Sequence, residues 1–153
     1  MQDTVEKEHI IDLDADPITP YERMTVIEHT KGGQFMWDPK KIQLFLHDLQ
    51  KEENGISLSE AVRFHAEVNS RQVFNANLLD YLLDNQHLIP EEWRANADGT
   101  KRYVCFWGTR YVMYRLISAI RYMHFEGGVW YSSYFGCVGK RWDAHCPAAI
   151  LAD

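Results

Sequence analysis

The sequence predicts an α+β protein in which three to four helices pack on one face of a C-terminal, antiparallel, three-stranded β meander. Two patterns support this fold class. Between residues 38 and 95 the apolar residues recur at helical spacing, and from Lys101 onward they alternate as in strands rich in aromatic and β-branched residues. The 153 residues are enough for one buried core, so we expect a single domain over residues 1–153.

Residues 1–37 are predicted to form an extended or short-strand segment. Pro17 and Pro20 keep the residues before them out of the helical region of backbone space. The stretch MTVIEHT, from Met24 to Thr30, alternates β-branched and polar residues and predicts a short strand. HIIDLDAD, which begins at His9, predicts another.

The helical part, residues 38–95, begins with an N-cap signal. Asp38 precedes Pro39, and the first helix is predicted to end at Gly55. Its apolar face would be formed by four residues at i, i+3, i+4 and i+7: Ile42, Phe45, Leu46 and Leu49.

Three further helices are expected in the same part of the chain. SLSEAVRFHAEV opens with Ser57 in capping-box spacing, and NANLLDYLLDN has Asn75 or Asn77 as its cap. LIPEEW predicts a short fourth helix with Pro90 at its first position and Trp93 packing back on the core.

The meander is predicted over residues 101–136, from the segments KRYVCFWGTRY, ISAIRYMHF and VWYSSYF, with a hairpin at Gly127 and Gly128. Residues 137–153 are expected to be a C-terminal loop and tail. An alternative is left open for residues 113–120, where the apolar residues also fit helical spacing.

The charge of the chain is unevenly distributed. The formal net charge is −6, yet residues 1–100 hold 9 Lys and Arg against 19 Asp and Glu, whereas residues 101–142 hold 7 against the single Glu126. This asymmetry is typical either of an anion-binding face or of two halves that neutralise each other within one fold.

Cysteine usage and hydropathy bear on location. Three cysteines are too few for a disulfide framework, which indicates a reducing compartment. MQDTVEKEH lacks the apolar stretch of a secretory signal, and the most apolar span, YVMYRLISAI, is short and interrupted by Arg115. We therefore expect a cytoplasmic protein with no membrane partner.

Several segments together resemble a known family. NANLLDYLLDN, HLIPEEW, CFWGTRY and RYMHFEGGVWYSSYF, with IIDLDADP near the front and CPAAILA at the end, cover most of the chain. In this combination the chain resembles a family of small uncharacterised bacterial proteins. The resemblance implies a bacterial or mobile-element origin and one intact domain, and it implies no activity and no catalytic residue.

The alternation of the last predicted strand suggests a function. Trp130 and Tyr134 fall on one face, whereas Tyr131 and Phe135 fall on the other. The helices can cover only one face, so the N-terminal segment, a second copy or a partner must cover the other. We predict a non-enzymatic protein-interaction module. It would act as an inhibitor or adaptor that docks on a nucleic-acid-handling complex through an aromatic and arginine-bearing sheet face or an acidic face.

The candidate binding residues are rings and arginines in or just after the meander, because Trp, Tyr and Arg dominate binding hot spots. They are Trp107, Arg110, Arg121, Trp130, Tyr134 and Trp142. We predict a protein partner or homo-oligomer, with no catalytic residue, metal ligand or cofactor.

The first alternative is binding of single-stranded nucleic acid on the meander. Twelve of the 20 aromatic residues lie between Tyr103 and Trp142, interleaved with Arg and Lys, and base stacking contributes about 1–3 kcal/mol per base. A winged-helix DNA binder is disfavoured, because its third helix would carry Asp80 and Asp84 and no basic residue to contact phosphates.

The further alternative is a small hydrolase with Cys137 as nucleophile and His124 or His145 as base. The same residues with Cys146 do not have the spacing of a structural zinc site. HIIDLDAD offers acidic ligands but lacks the glycine and distal glutamate of a calcium-binding EF-hand loop.

Overall fold

A computed structural model describes residues 8–51, 56–57, 72–113, 117–136, 141–142 and 144–152. This part of the chain is mostly β-structure and contains one α-helix, α1, Ala76–Asp84. The strands, in chain order, are β1 Ile10–Asp12, β2 Met24–His29, β3 Gln34–Met36, β4 Ile42–Phe45, β5 Ile56–Ser57, β6 Val104–Met113, β7 Ile117–Glu126, β8 Val129–Gly136, β9 Arg141–Trp142 and β10 Ala148–Leu151. Four short 3-10 turns connect them: Pro39–Lys41, Asp48–Lys51, Gln86–Leu88 and Glu91–Trp93.

A six-stranded mixed sheet forms the centre of the fold. Its order is β4-β10-β6-β7-β8, and β2 pairs with the C-terminal half of β6. Two antiparallel ribbons, β1–β3 and β5–β9, lie outside this sheet. The three predicted meander strands are therefore confirmed as β6, β7 and β8, and residues described on both sides of positions 114–116 are strand.

The predicted fold class is wrong, because a strand takes the place of the first predicted helix. The Asp38 side chain does accept the Lys40 N–H, as an N-cap should, but the turn that it caps ends at Lys41. The next residues form β4, which pairs antiparallel with β10 and places Ile42 opposite Leu151. Apolar residues at 42, 44 and 45 fit either period, and pairing with a distant strand decides between them.

The other helix predictions have different outcomes. Most of the segment predicted as the second helix lies outside the described residues, and Ile56–Ser57 at its front pairs with β9. The third helix is confirmed as α1 with Asn75 as its N-cap. The fourth is only a 3-10 turn, although Trp93 packs back on the core with 4% of its surface exposed.

The C-terminal residues were predicted to be a loop and tail, and this part of the fold prediction is also wrong. Residues Ala148–Leu151 form an inner strand of the sheet, antiparallel to β4 and bridged in parallel to Cys105 of β6. Ala148, Ala149 and Ile150 are almost fully buried. The small side chains of Ala148 and Ala149 allow close packing on both faces, and burial outweighs the weak strand propensity of alanine.

The N-terminus of α1 is fastened to two other parts of the chain. The Asn75 side chain accepts the Asn77 N–H, and its Nδ2 donates to the Leu13 and Thr30 carbonyls, each at 2.9 Å. The Asn77 Nδ2 donates to the carbonyls of Asp12 and Ala15. The sequence NAN thus both caps the helix and holds the segment after β1 against it.

A close backbone approach sets the position of α1 over the sheet. The Gly108 N–H donates to the Phe74 carbonyl at 2.9 Å, and the Ala76 N–H donates to the Thr109 hydroxyl at 2.9 Å. Gly108 and Thr109 lie in an irregular stretch of β6, where the register with β7 shifts. A Cβ at position 108 would come within 2.8 Å of the backbone of Phe74 and Asn75. Glycine is therefore required at this crossing.

The two faces of the sheet differ in how they are covered. The face that bears Met123 and Trp130 packs under α1 in the largest core cluster, together with Ile11 and Phe35 of the β1–β3 ribbon. The N-terminal ribbon therefore lies on the same side as α1. The opposite face is buried at Trp107 of β6 but open at β8, where Tyr131 is 51% exposed.

The outer edge of β8 is partly occupied by a side chain. The Trp130 N–H donates to Gln86 Oε1 at 3.0 Å, and Gln86 Nε2 donates to the Trp130 carbonyl at 3.2 Å. The Gln86 carboxamide thus makes both hydrogen bonds that a neighbouring strand would make at this position.

Candidate functional site

Three of the six predicted binding residues lie in the interior. Trp107 and Arg121 are each 1% exposed, and Trp130 is 4% exposed. Trp130 packs with the helix face and Trp107 with the opposite face. A partner cannot contact these side chains without opening the core, so they are not part of a docking surface.

The remaining three predicted residues have different contacts. Arg110 forms an ion pair with Glu28 at 3.1 Å across β6 and β2, and Tyr134 packs edge-on against Tyr21 with ring centroids 4.9 Å apart. The backbone of Trp142 pairs with β5, and its side chain lies outside the described residues. The six residues therefore do not form one continuous surface in the part of the chain that is described.

Arg121 has a structural partner on α1. Its guanidinium donates to both Asp80 carboxylate oxygens, at 2.9 Å and 2.8 Å, in a bidentate pair. Burial lowers the pKa of Arg121, but the Asp80 carboxylate and the Tyr111 hydroxyl outweigh that effect and hold the pKa above its ordinary value. Burial raises the pKa of the Tyr111 phenol, because the charged form of this group is the deprotonated one. This ion pair joins the helix to the sheet, which explains why the arginine is buried.

A groove of about 840 Å³ lies between the β1–β3 ribbon and the 3-10 turn that follows α1. Its lining comes from three stretches of chain: residues 8–9, residues 36–39, and Asn85 with residues 87–88. The polar and aromatic side chains among them are Glu8, His9, Trp37, Asp38, Asn85 and His87. A cavity of this size is in the range of sites that bind small molecules or peptide side chains.

Contacts to α1 and to the core hold the walls of this groove. Nδ1 of His9 lies 2.6 Å from the Tyr81 hydroxyl of α1, and the His9 and His87 rings meet at 6.1 Å. The Trp37 ring packs edge-on against Phe35 of β3 and against Trp93. The groove is therefore formed by side chains that the fold positions.

An exposed apolar pair borders the groove. Ile10 and Met36 are directly opposite each other in the β1–β3 ribbon and are 53% and 50% exposed. Ile11 and Phe35, one position along, point into the core. This exposed pair was not predicted from the sequence. The alternation of Ile10 and Ile11 was available as a signal, because only one of two adjacent strand residues can face the core.

The residues proposed for metal binding are not brought together where the structure describes them. In the described part of the chain, no group of three or more His, Cys, Asp or Glu residues is placed to hold a metal ion. Cys137 lies outside the described residues, and Cys105 and Cys146 are buried. Asp12 and Asp14 organise turns, since their carboxylates accept the N–H groups of Asp14 and Gly33.

A row of rings crosses the open part of the second sheet face. The His124 ring on β7 lies 5.6 Å from that of Tyr103 and 5.9 Å from that of Tyr131, measured between centroids. Burial and the nearby Lys101 ammonium lower the pKa of His124, and Glu126 opposes them only in part. Lys101 and Glu126 themselves form an ion pair at 3.3 Å. Tyr131 is the most exposed ring of this row.

Comparisons with known proteins add no family. No protein-family model matches the chain, and neither a curated protein nor a solved structure matches it. The resemblance to a family of small bacterial proteins therefore stays a prediction. Among the described residues, no helix is both long enough and apolar enough to cross a membrane.

Proposed function

We propose that this chain is a non-enzymatic protein-interaction module that docks a partner on the β1–β3 ribbon and the groove beside it. The observation that carries the proposal is the exposed pair Ile10 and Met36 at the edge of the groove. Contiguous exposed apolar surface beside a concavity is a feature of protein-interaction sites, and this adjacent pair supplies such a surface, on which a partner side chain could be anchored.

The magnitude of this contact is sufficient for specific binding when joined with polar contacts. Complete burial of an Ile or Met side chain contributes about 1.5–3 kcal/mol. Since half of each side chain is already buried, a partner would gain about 1 kcal/mol from each. Loss of both would weaken binding by more than about tenfold.

The partner that we propose is one surface of a nucleic-acid-handling complex, which this protein would inhibit or adapt in the cytoplasm. The acidity of the N-terminal part supports a basic partner. Residues 8–38 contain seven Asp and Glu against Arg23 and Lys31, and complementary charge accelerates encounter with a positively charged surface.

The test compares two single substitutions at equally exposed apolar residues. Met36→Asp changes a residue of the proposed interface, whereas Ile18→Asp changes a residue that is 56% exposed elsewhere on the surface. We expect a tagged wild-type chain to retain a protein from its native lysate, Ile18→Asp to retain it equally, and Met36→Asp to lose it. Retention of the same protein by Met36→Asp, with its circular dichroism unchanged, would refute the proposed surface.

A second candidate function is binding of single-stranded nucleic acid along the ring row of Tyr103, His124 and Tyr131. The contacts between these rings and the exposure of Tyr131 favour it. Fluorescence anisotropy with a labelled oligothymidylate at low salt tests this candidate. Binding that weakens with salt and is lost in Tyr131→Ala would support it, and no binding would exclude it.

A further inference from the structure

We infer that the groove receives a positively charged side chain of the partner, an arginine or a lysine that has an apolar neighbour in sequence. This inference rests on the proposed docking function and names the chemistry of the docked segment. It follows from the charges, the aromatic wall and the apolar border of the groove.

The charge of the lining selects for a cation. Glu8 and Asp38 contribute carboxylates to the groove, and none of the described residues that line it is a lysine or an arginine. Asp38 Oδ1 accepts the Lys40 N–H, so a ligand would meet the other carboxylate oxygen. A guanidinium or ammonium group can donate to a carboxylate of this lining, whereas an anionic side chain would be repelled.

The aromatic wall favours the same occupant. Trp37 lines the groove, and its ring is held by edge contacts to Phe35 at 6.5 Å and to Trp93 at 6.2 Å. A cation over the face of a tryptophan ring is attracted by the ring quadrupole. Because the ring is already held in place, little additional side-chain entropy is lost when a ligand contacts it.

The dimensions indicate a segment of chain as the occupant. The volume of about 840 Å³ exceeds that of one side chain. Met36 belongs both to the lining and to the exposed pair with Ile10. A basic residue in the groove would therefore place its sequence neighbours over this pair, where an apolar side chain is favoured.

The test uses the full chain and two peptides of equal shape. Acetyl-Leu-Arg-Leu-amide is compared with the same peptide carrying citrulline, which replaces the guanidinium with a neutral urea. Titrations of the ¹⁵N-labelled protein are followed by NMR at the Trp37 indole and the His87 amide. We expect the arginine peptide to bind at least tenfold more tightly and to perturb these resonances, and we expect its affinity to fall with added salt.

The variants identify the groups responsible. Glu8→Gln combined with Asp38→Asn should abolish the preference for arginine, and Asn at position 38 retains an N-capping side chain. Glu22→Gln removes one exposed carboxylate from a residue outside the groove and should leave the preference unchanged.

The failures of the two proposals can be told apart. If arginine and citrulline peptides bind equally, or neither perturbs Trp37, the inference of a basic occupant is overturned, even where the lysate partner depends on Met36. If the arginine preference holds but the lysate partner is indifferent to Met36→Asp, the groove is cation-selective and the docking function is refuted.

Discussion

Removal of the Asp80 carboxylate should destabilise the protein more than removal of the arginine that it binds. Arg121 is 1% exposed and has two charge-assisted hydrogen bonds to Asp80, so Asp80→Ala would leave a buried guanidinium without its counter-charge. Breaking a buried pair in this way costs about 3–5 kcal/mol. The total stability of a domain is only about 5–15 kcal/mol. The expected loss is therefore a large fraction of the free energy of unfolding.

Substitution of Arg121 has a smaller expected cost than substitution of Asp80, because the two partners differ in exposure. The Asp80 side chain is 23% exposed, whereas that of Arg121 is 2% exposed. Arg121→Met would fill the site with an apolar side chain of similar length and leave a carboxylate that water can reach, at about 1–3 kcal/mol. The double variant Asp80→Leu, Arg121→Met leaves neither charge and should lie within about 1 kcal/mol of Arg121→Met.

Urea unfolding followed by circular dichroism measures all three free energies on one scale. A loss of about 3–5 kcal/mol corresponds to a decrease in Tm of about 6–20 °C for a chain of this length. If Asp80→Ala costs less than about 1 kcal/mol, or if Arg121→Met costs more than Asp80→Ala, the difference in burial does not govern this pair and the reasoning is refuted.

Two further predictions test the crossing of α1 and β6 and the ring row. Gly108→Ala should cost several kcal/mol of folding free energy, or about as much as a severe core substitution, because its Cβ would meet backbone atoms of Phe74 and Asn75 at 2.8 Å. Gly99→Ala is the comparison, since its Cβ has no neighbour within 4 Å and its φ of +85° leaves backbone strain as the only cost. Chemical denaturation of both variants measures the difference. For His124, whose pKa is lowered by burial and by Lys101, the unfolded chain takes up the proton at higher pH than the folded chain. Stability should therefore fall as pH decreases through the ordinary histidine pKa of about 6.5. His124→Gln should remove that part of the slope, and an unchanged slope between pH 7 and 5 would contradict the assignment.

The parts of the fold that local signals decide were predictable. Asn75 as a cap and the spacing of Leu78, Leu79 and Leu82 specify α1 without help from distant residues, and all three leucines are fully buried. The Gly127 and Gly128 hairpin was predictable for the same reason, since both residues have positive φ. In each case the relevant partners are only a few residues apart.

The failures occur where distant segments compete with local preference. Ile42–Phe45 becomes a strand because Ala148–Leu151, about a hundred positions later, lies alongside it. A four-residue, alanine-containing stretch has no periodicity long enough to reveal a strand. The same limit applies to Arg121, whose burial depends on Asp80 reaching it from another element.

The candidate site could not be predicted for a related reason. Three separate stretches line the groove, and their meeting depends on the position of α1 over the sheet. The aromatic density of the meander favoured Trp107 and Trp130 as binding residues, but both are buried in the core. Composition indicates which residue types can bind a partner, but only their burial in the fold determines which of them a partner can contact.

The carboxamide of Gln86 on the edge of β8 limits how this molecule can associate with itself. An unpaired strand edge offers a template on which another chain can add, and proteins commonly block such edges. Here one side chain from the turn after α1 occupies both backbone groups of Trp130, so a second copy cannot extend the sheet through that position. Growth into strand-paired aggregates is therefore hindered at this position of the sheet edge.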